Sequence, residues 1–358
     1  MTISTDALAA AGTPATPPRP PGSGGGSDFA RLSRRISEAG LFRPRPGYYT
    51  ARLTLVIAAL VGAWWAFFAL GDTWWQLAVA AGLALAFGQV ALVAHDVAHR
   101  QVFRRRRPSE AWGRLMGNLG IGMAYGWWTH KHTRHHANPN HEELDPDVAP
   151  EILVWSTAQA GRSRGLARII GGHQALLFLP LLTLEGFNLH VASVRALRSP
   201  TVKHRLLEGT LLGLHIVGYL SALFLVLPPG KAVAFLVVHQ CLFGVYLGCT
   251  FAPNHKGMPT LTGAARPDFL RRQVLTSRNV RGGLLTDLLL GGLNHQIEHH
   301  LFPSMATPHL RRARPIVRDY CAEIGVPYHE TGLLQSYREA LTHLHRVGEP
   351  IRRQRKRA

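Results

Sequence analysis

Four apolar stretches constrain the fold of this chain most strongly. Each is about 20 residues long, which is enough for a helix to cross a hydrocarbon core of about 30 Å. Arg52 and Glu208 are the only acidic or basic residues in them other than histidine. The stretches are residues 50–70, 74–94, 206–228 and 232–252. They predict an all-α, multi-pass integral membrane protein with four membrane-spanning helices.

The four predicted spans form two hairpins, and the charges around them predict their orientation. Short connectors, residues 71–75 and 228–231, join the spans within each hairpin. Basic residues gather at the opposite ends of the spans. They are Arg31, Arg34, Arg35, Arg43, Arg45, the run 104–107 and the segment 352–357. Because basic residues are enriched on the cytoplasmic side of membrane proteins, both termini are predicted to be cytoplasmic.

The net charge of +19 is therefore first a topology signal. Contact with anionic lipid headgroups and docking of an acidic partner protein are two further interpretations of the same charge. No nucleic-acid-binding motif accompanies it, so no nucleic-acid partner is expected.

A fifth apolar stretch, residues 169–187, is interrupted by Gly171, Gly172 and Pro180. If it crossed the membrane, the arginine-rich segment 266–281 would face outward, against the charge rule. We therefore expect this stretch to lie in the membrane interface. The predicted organisation is a disordered N-terminal tail (1–30), one membrane domain (31–345) and a basic C-terminal tail (346–358).

Eight histidines lie where the predicted spans meet the cytoplasm. They are His95, His99, His132, His135, His136, His255, His299 and His300. Both hairpins cross out and back, so topology alone delivers these distant positions to one surface. We predict a metal site there.

The spacing of these histidines supports a metal site. Residues i, i+3 and i+4 are neighbours on a helix, so HDVAH (95–99), HTRHH (132–136) and QIEHH (296–300) each present side chains on one face. Converging imidazoles of this kind suit divalent iron. Eight are too many for one metal ion and suit two. Five isolated histidines are expected to be ordinary hydrogen-bonded packing residues: His173, His190, His204, His215 and His239.

Acidic and amide side chains near the clusters are candidates to support the ligands. A carboxylate can accept the second ring N–H of a ligand histidine and fix its tautomer. The candidates are Asp96, Asp145, Asp147 and Glu298. Asn254 is expected to hold a water near the metals, and Trp127 and Trp128 are expected to anchor the membrane interface.

The motifs HDVAH, HTRHH and QIEHHLFP, in this order around two membrane hairpins, resemble the three histidine boxes of the membrane fatty acid desaturase family. The resemblance covers about residues 50–310. It implies four membrane helices and a cytoplasmic helical cap with a non-haem di-iron centre held by the eight histidines. It also implies O₂ as co-substrate. No separate acid or base is implied, because an unactivated methylene has no acidic proton.

The third box departs from the simple pattern in two ways. QIEHHLFP is similar to the acyl-lipid and front-end branch of the family, in which Gln296 stands where the first histidine would be. His295 lies one residue out of register, or about 100° around a helix. It is either a shifted ligand or a group that supports a ligand, and we favour the second interpretation.

Many front-end enzymes carry a fused cytochrome b5 domain with a His-Pro-Gly-Gly motif. The 358 residues contain no such motif. A separate ferredoxin or cytochrome b5-type protein, with its reductase, is therefore the expected electron donor.

The function implied by the resemblance is O₂-dependent introduction of a double bond into a fatty acyl chain carried by CoA or by a lipid. One alternative is a membrane di-iron hydroxylase or ketolase acting on a lipid or hydrocarbon. A membrane metal transporter would place its ligands in mid-membrane, and a structural zinc protein is a more remote alternative. Metal analysis of the purified protein separates the iron oxygenases from the other two.

Overall fold

The computed structural model describes residues 27–263 and 267–355, and most of these residues are helical. The first half contains α1 (Asp28–Glu38), α2 (Pro46–Leu70), α3 (Gln76–Ala98), α4 (Arg106–Arg114), a π-helical turn (Leu115–Gly120), α5 (Tyr125–Ala137), a 3₁₀ turn (Pro146–Val148), α6 (Thr157–Arg162) and α7 (Gly165–Leu182). The second half contains α8 (Glu185–Ala196), α9 (Arg205–Val226), α10 (Pro229–His255), α11 (Phe269–Leu275), β1 (Asn279–Arg281), α12 (Leu284–Leu289), α13 (Gln296–Leu301), α14 (Thr307–Glu323), β2 (Glu330–Gly332), α15 (Leu333–Val347) and α16 (Glu349–Arg355).

Among the described residues, five helices are long and apolar enough to cross a membrane: α2, α3, α7, α9 and α10. Four of them contain the predicted spans. The fifth, α7, covers most of the stretch that we expected to lie in the interface, so length and composition alone also allow it to cross. The predicted helical class is confirmed, whereas the count of four spans is not fixed by these criteria.

The hairpin of α2 and α3 turns at Gly71, whose φ of +55° lies in the left-handed region that favours glycine. Gln76 reinforces this turn, because its amide donates to the carbonyls of Phe67 at 2.7 Å and Gly71 at 2.8 Å. Carbonyls at a helix end lack partners within the helix, so these bonds satisfy groups that would otherwise be unpaired. The apolar faces of α3 and α10 then meet in the largest core of the molecule, around Phe87 and Phe243.

A close helix contact depends on two glycines. A Cβ atom at Gly244 of α10 would lie 2.4 Å from the carbonyl oxygen of Leu182, and a Cβ atom at Gly186 of α8 would lie 2.4 Å from the carbonyl oxygen of Gln240. Backbone atoms cannot move aside as a flexible side chain can. The two glycines therefore let the start of α8 approach the middle of α10.

A second core lies at the end of the hairpins where the histidines are found. It is formed by α1, α11, α13 and α14, with Leu32, Val274, Ile297 and Val317 fully buried. A salt bridge of 2.7 Å between Arg35 and Glu323 fastens α1 to α14. We call this assembly, together with α15, the cap. It contains a short parallel pair of strands, β1 and β2, which the all-helical expectation did not include.

The predicted boundaries at the termini differ slightly from the observed ones. The tail predicted for residues 1–30 falls outside the described residues up to position 26, but α1 already begins at Asp28. Asp28 pairs with Arg271 at 2.8 Å, which ties this helix to α11. The basic segment 346–358 is helical through Arg355 in α16, and residues 356–358 lie outside the described residues.

We expect Gly244→Ala to destabilise the protein, because its Cβ would meet backbone atoms of α8 and of the end of α7. Overpacking of this kind costs about 1–3 kcal/mol. The thermal unfolding midpoint of the detergent-solubilised protein should fall. Gly213→Ala on α9 is the matched control, since among the described residues nothing beyond its own helix turn lies within 4 Å of its Cβ position and alanine favours helix. Equal midpoints for the two variants would contradict this account of the packing.

Candidate metal centre

All eight predicted histidines lie on helices or at helix ends within the cap or against it. His95 and His99 end α3, and His255 is the last residue of α10. The second motif lies along α5 and the third along α13. The structure brings all eight together in two adjacent groups.

Five imidazoles form the first group, which we call the five-histidine group. It consists of His95, His99, His132, His136 and His299, with ligand atoms within 4.8 Å of one another. The Nε2 atom of His132 lies 2.8 Å from that of His99 and 3.1 Å from that of His136. The Nε2 atoms of His136 and His299 are 3.2 Å apart. The Nε2 atom of His95 is buried and has no hydrogen-bond partner among the described residues.

The second group, which we call the three-histidine group, consists of His135, His255 and His300. The Nε2 atom of His255 lies 3.3 Å from that of His135 and 3.1 Å from that of His300. The amide nitrogen of Gln296 lies 2.9 Å from the same His255 atom. Gln296 therefore reaches this group as a fourth side chain.

Each HxxHH-type motif contributes to both groups, which was not expected from the idea of one shared helix face. On α5, His132 and His136 belong to the five-histidine group and His135 to the other. On α13, His299 and His300 divide in the same way. The rings of His136 and His300 stack at 4.2 Å between centroids, so the two groups are directly adjacent.

Buried polar contacts hold the helices that carry these ligands. The Glu208 carboxylate accepts from the backbone N–H of Gly126 at 2.9 Å in the first turn of α5, where negative charge is favourable. The fully buried Arg278 donates to the carbonyls of Pro253 and Lys256 at the C-terminal end of α10, beside His255. Asn279 accepts from the N–H of Ile297 at 2.9 Å in the first turn of α13.

The other ring nitrogens in the three-histidine group face hydrogen-bond acceptors. The Nδ1 atom of His135 lies 2.9 Å from Asp145, that of His255 lies 2.9 Å from the carbonyl of Thr276, and that of His300 lies 2.9 Å from Oε1 of Gln273. Each acceptor places the proton on Nδ1 and leaves a lone pair on Nε2. Several Nε2 lone pairs then face one another in a buried space, which a bound cation would stabilise. The residues present therefore fit a pair of metal ions.

The electrostatic environment keeps most of these rings neutral, which is the form that binds metal. Burial, with a further contribution from neighbouring imidazoles, lowers the pKa of His132, His136, His299 and His300 well below its ordinary value. Burial also opposes the charged form of His135, but Asp145 and Asp147 outweigh it and raise the pKa of this ring.

The four predicted carboxylates have different partners. Asp145 accepts from His135 at 2.9 Å, and Asp147 lies 3.5 Å from the same ring and pairs with Lys131 at 3.0 Å. Asp96 lies 3.5 Å from Nδ1 of His95 and accepts a shorter bond, 2.9 Å, from Thr307.

Glu298 has partners other than the ligand histidines. It accepts from Asn279 at 2.7 Å and from Tyr328 at 2.8 Å, and in the described part of the chain it makes no hydrogen bond to a ligand histidine. On α13 it lies on the face opposite the metal groups, where it joins the helix to β1 and to the loop before β2.

Asn254 and His295 lie beside the centre but outside both groups. Asn254 is fully buried and donates to Gln296 at 3.2 Å, so it orients that amide. Its own side-chain oxygen has no hydrogen-bond partner in the part of the chain that the structure describes. His295 lies 3.2 Å from Asp287, which also accepts from Arg311 at 2.7 Å. In this geometry Gln296 contacts the three-histidine group, whereas the side chain of His295 points to Asp287.

Three contributions were missed by sequence reasoning. Trp128 was expected only as an interface anchor, but its ring stacks on His132 at 4.6 Å. Its position four residues before His132 on one helix was the signal that could have revealed this contact. Gln273 and the carbonyl of Thr276 come from α11 and its end, and no sequence pattern connects them to the histidines.

We expect alanine at His132 or at His255 to remove bound metal, because each ring lies at the centre of its group. His132→Ala should empty chiefly the five-histidine site and His255→Ala the other, so that each variant loses about half of its metal or more, measured by plasma emission spectrometry on purified protein. His204→Ala, an exposed histidine, is the control and should retain the full content. Full metal content in either site variant would rule out that group.

Gln296 and His295 should behave differently when each is changed. Gln296→Ala removes a side chain 2.9 Å from His255 and should weaken metal binding by about 10–100-fold, the usual effect of losing a supporting contact. His295→Gln can still bond to Asp287 and should bind metal nearly as well as the unchanged protein. Titration with a competing chelator measures both, and the reverse order would mean that the register of the third motif is shifted by one residue.

Comparison with known proteins identifies the family of this chain. The chain is 31% identical over 90% of its length to an acyl-lipid (9-3)-desaturase of Physcomitrium patens, of which it spans 63%. It is 28% identical to fatty acid desaturase 3 of Bos taurus and 26% identical to a delta(6)-fatty-acid desaturase of Caenorhabditis elegans, in each case over 90% of its length. It spans 73% and 75% of those two proteins. The family model described as fatty acid desaturase matches residues 72–332, which include all eight histidines and Gln296. The chain belongs to the fatty acid desaturase family.

Proposed function

We propose that this protein is an O₂-dependent di-iron desaturase that introduces a double bond into a fatty acyl chain. The observation that carries the proposal is the pair of adjacent histidine groups with opposed Nε2 atoms, placed at the ends of apolar helices. The names of the related proteins agree with this reaction class.

The eight histidines are proposed as the iron ligands, five at one metal and three at the other, with Gln296 beside the second. Bound iron would supply the O₂-reducing chemistry that removal of hydrogen from an unactivated methylene requires. The chain's own task is to hold neutral imidazoles in place. Asp145, Thr276 and Gln273 orient three of them through their Nδ1 atoms.

The presence of an apolar groove supports the proposal that the substrate is a fatty acyl chain. It has a volume of about 400 Å³ and lies between α2, α3, the π-helical turn and α9, with Val56, Trp64, Val90 and Leu214 in its wall. Val90 precedes His95 by five residues on α3, or about 8 Å at the rise of a helix. An acyl chain lying in this groove would extend from the membrane interior toward the metal groups. The shape of the groove would then select which carbons reach the metals.

We propose that four helices cross the membrane and that α7 does not. Arg352 of the polar helix α16 donates to the carbonyl of Gly172 at 2.8 Å, and a Cβ atom at Gly171 would lie 3.2 Å from Ile351. A crossing α7 would carry the arginine-rich α16 toward the hydrocarbon, which is costly. An interfacial α7 leaves both termini and the metal centre on the cytoplasmic side, in agreement with the distribution of arginine.

The electron donor is proposed to be a separate acidic redox protein that docks on exposed arginines beside the cap. Arg104 donates to the carbonyl of Phe42 at 2.8 Å, which brings the run 104–107 next to the loop that contains Arg43 and Arg45. Burial lowers the pKa of His309, and the charges of Arg45 and Arg312 lower it further. These two arginines therefore lie near the same histidine. We call Arg43, Arg45, Arg104, Arg105 and Arg312 the basic surface; all five are exposed.

Expression in a host that lacks the activity tests the proposed reaction directly. The unchanged protein should produce a new double bond in the host's acyl lipids, located by mass spectrometry of derivatised fatty acids, and the purified protein should hold about two irons per chain. His132→Ala should produce none while reaching the membrane at the same level. A hydroxylated or oxidised chain instead of an alkene would favour the hydroxylase alternative. Zinc without iron would contradict both.

Donor-driven turnover should fall as salt rises, because the Debye length shrinks from about 10 Å at 0.1 M to about 3 Å at 1 M. The effect should appear mainly in the association rate. Arg45→Gln with Arg312→Gln should lower the rate with limiting donor several-fold at low salt and little at high salt. Arg311 is a poor choice for this test because it pairs with Asp287. Arg162→Gln with Arg164→Gln removes the same charge elsewhere and is the control. A flat salt profile would contradict electrostatic docking.

A further inference from the structure

We infer that two leucine pairs at one end of the parallel strands form a surface of the cap that inserts into the lipid bilayer. The pairs are Leu284 with Leu285 and Leu333 with Leu334, and we call them, with Leu288 and Leu289, the leucine edge. The inference rests on the proposed topology, and it concerns where the cap meets the membrane rather than the reaction.

The strands themselves bring the two pairs together. β1 and β2 are parallel, and Arg281 at the end of β1 lies opposite Gly332 at the end of β2. Leu284 follows the first strand end within three residues, and Leu333 follows the second immediately. Because parallel strands run in the same direction, segments that leave their C-terminal ends emerge at the same edge.

The side chains of the leucine edge are so exposed that contact with water would be unfavourable for them. The exposed fractions are 79% for Leu284, 67% for Leu285 and 85% for Leu334, and Leu288, Leu289 and Leu333 are each about 40% exposed. Exposed leucines grouped at one edge in this way mark a surface that another apolar phase covers.

Contacts of α12 with three apolar helices place this edge at the membrane. Arg52 of α2 donates to the carbonyl of Leu288 at 3.2 Å, and Tyr246 of α10 donates to the carbonyl of Leu289 at 2.6 Å. Gln89 of α3 bonds to both Arg52 and Tyr246. All three polar residues lie inside the predicted spans, and Gln89 lies six residues before His95, or about 9 Å deeper along α3.

These bonds also explain why Arg52 is found in a membrane helix. Its side chain is buried, and a buried charge in such a helix requires a partner. The carbonyls of Leu288 and Leu289 end α12 and would otherwise lack partners in an apolar setting. Arg281, three residues before Leu284, and Arg338, four residues after Leu334, are both exposed, and such long basic side chains can reach lipid headgroups. The surroundings therefore fit the lipid interface rather than a soluble protein partner.

Depth-dependent fluorescence quenching tests the inference in vesicles. Cys241, Cys249 and Cys321 are replaced by alanine, and single cysteines at Leu285 or Leu334 are labelled with an environment-sensitive nitrobenzoxadiazole dye. Val217→Cys on the outward face of α9 is the lipid-exposed reference, and Asp319→Cys on the cap is the water-exposed reference. Brominated phosphatidylcholine should quench dyes at 285 and 334 to within about twofold of the dye at 217, and aqueous iodide should quench only the dye at 319.

Two results would overturn the inference. Iodide quenching at 285 and 334 equal to that at 319 would place the edge in water. Protection from both quenchers would mean that a second copy of the chain covers it. If the cysteine-free protein does not fold, the unchanged protein is photolabelled with phosphatidylcholine that carries a diazirine in its acyl chain. This experiment also distinguishes a lipid-inserted edge from one outside the bilayer. Adducts within 284–289 and 333–334 support insertion, and their absence opposes it. Iron content and turnover of the unchanged protein test the proposed function independently of these results.

Discussion

The mutual approach of imidazole lone pairs is the interaction on which the rest of this structure depends. Several Nε2 atoms lie within about 3 Å of one another in a buried space, and acceptors on the Nδ1 side of three rings prevent them from turning their protons inward. Without a cation such an arrangement is unfavourable. Metal binding and the folding of the cap are therefore coupled, because the ligands come from four helices that the metal would join.

The apolar helices and the cap have complementary roles in this arrangement. Helices α3 and α10 deliver His95, His99 and His255 at their ends, and Gly244 permits the close approach of α8 to α10. The cap brings α5 and α13 over those ends and supplies most of the supporting polar groups. Buried Glu208 holds the start of α5 and buried Arg278 holds the end of α10, so these two ligand-bearing helices are fixed near their histidines.

Much of the fold and most of the centre follow from sequence because both are encoded locally. A run of 20 apolar residues predicts a helix whatever its surroundings, and HxxxH spacing predicts neighbouring side chains on that helix. The sequence therefore singled out the eight histidines that the structure brings together. It did not predict their division into two groups, because His135 and His136 are adjacent in sequence and only the packing of α5 against α10 and α13 separates them. It did not reveal the partners of Glu298 either, since Asn279 and Tyr328 are distant from it along the chain. Whether α7 crosses depends on its contact with α16, which no property of α7 reveals.

Anomalous X-ray scattering at the iron edge, from crystals of the iron-loaded protein, tests the central claim most directly. The account predicts two separate peaks per chain, one bounded by His95, His99, His132, His136 and His299 and the other by His135, His255 and His300, with Gln296 beside the second. A single peak shared by both groups, or a peak among the mid-helix histidines His190, His215 and His239, would contradict it.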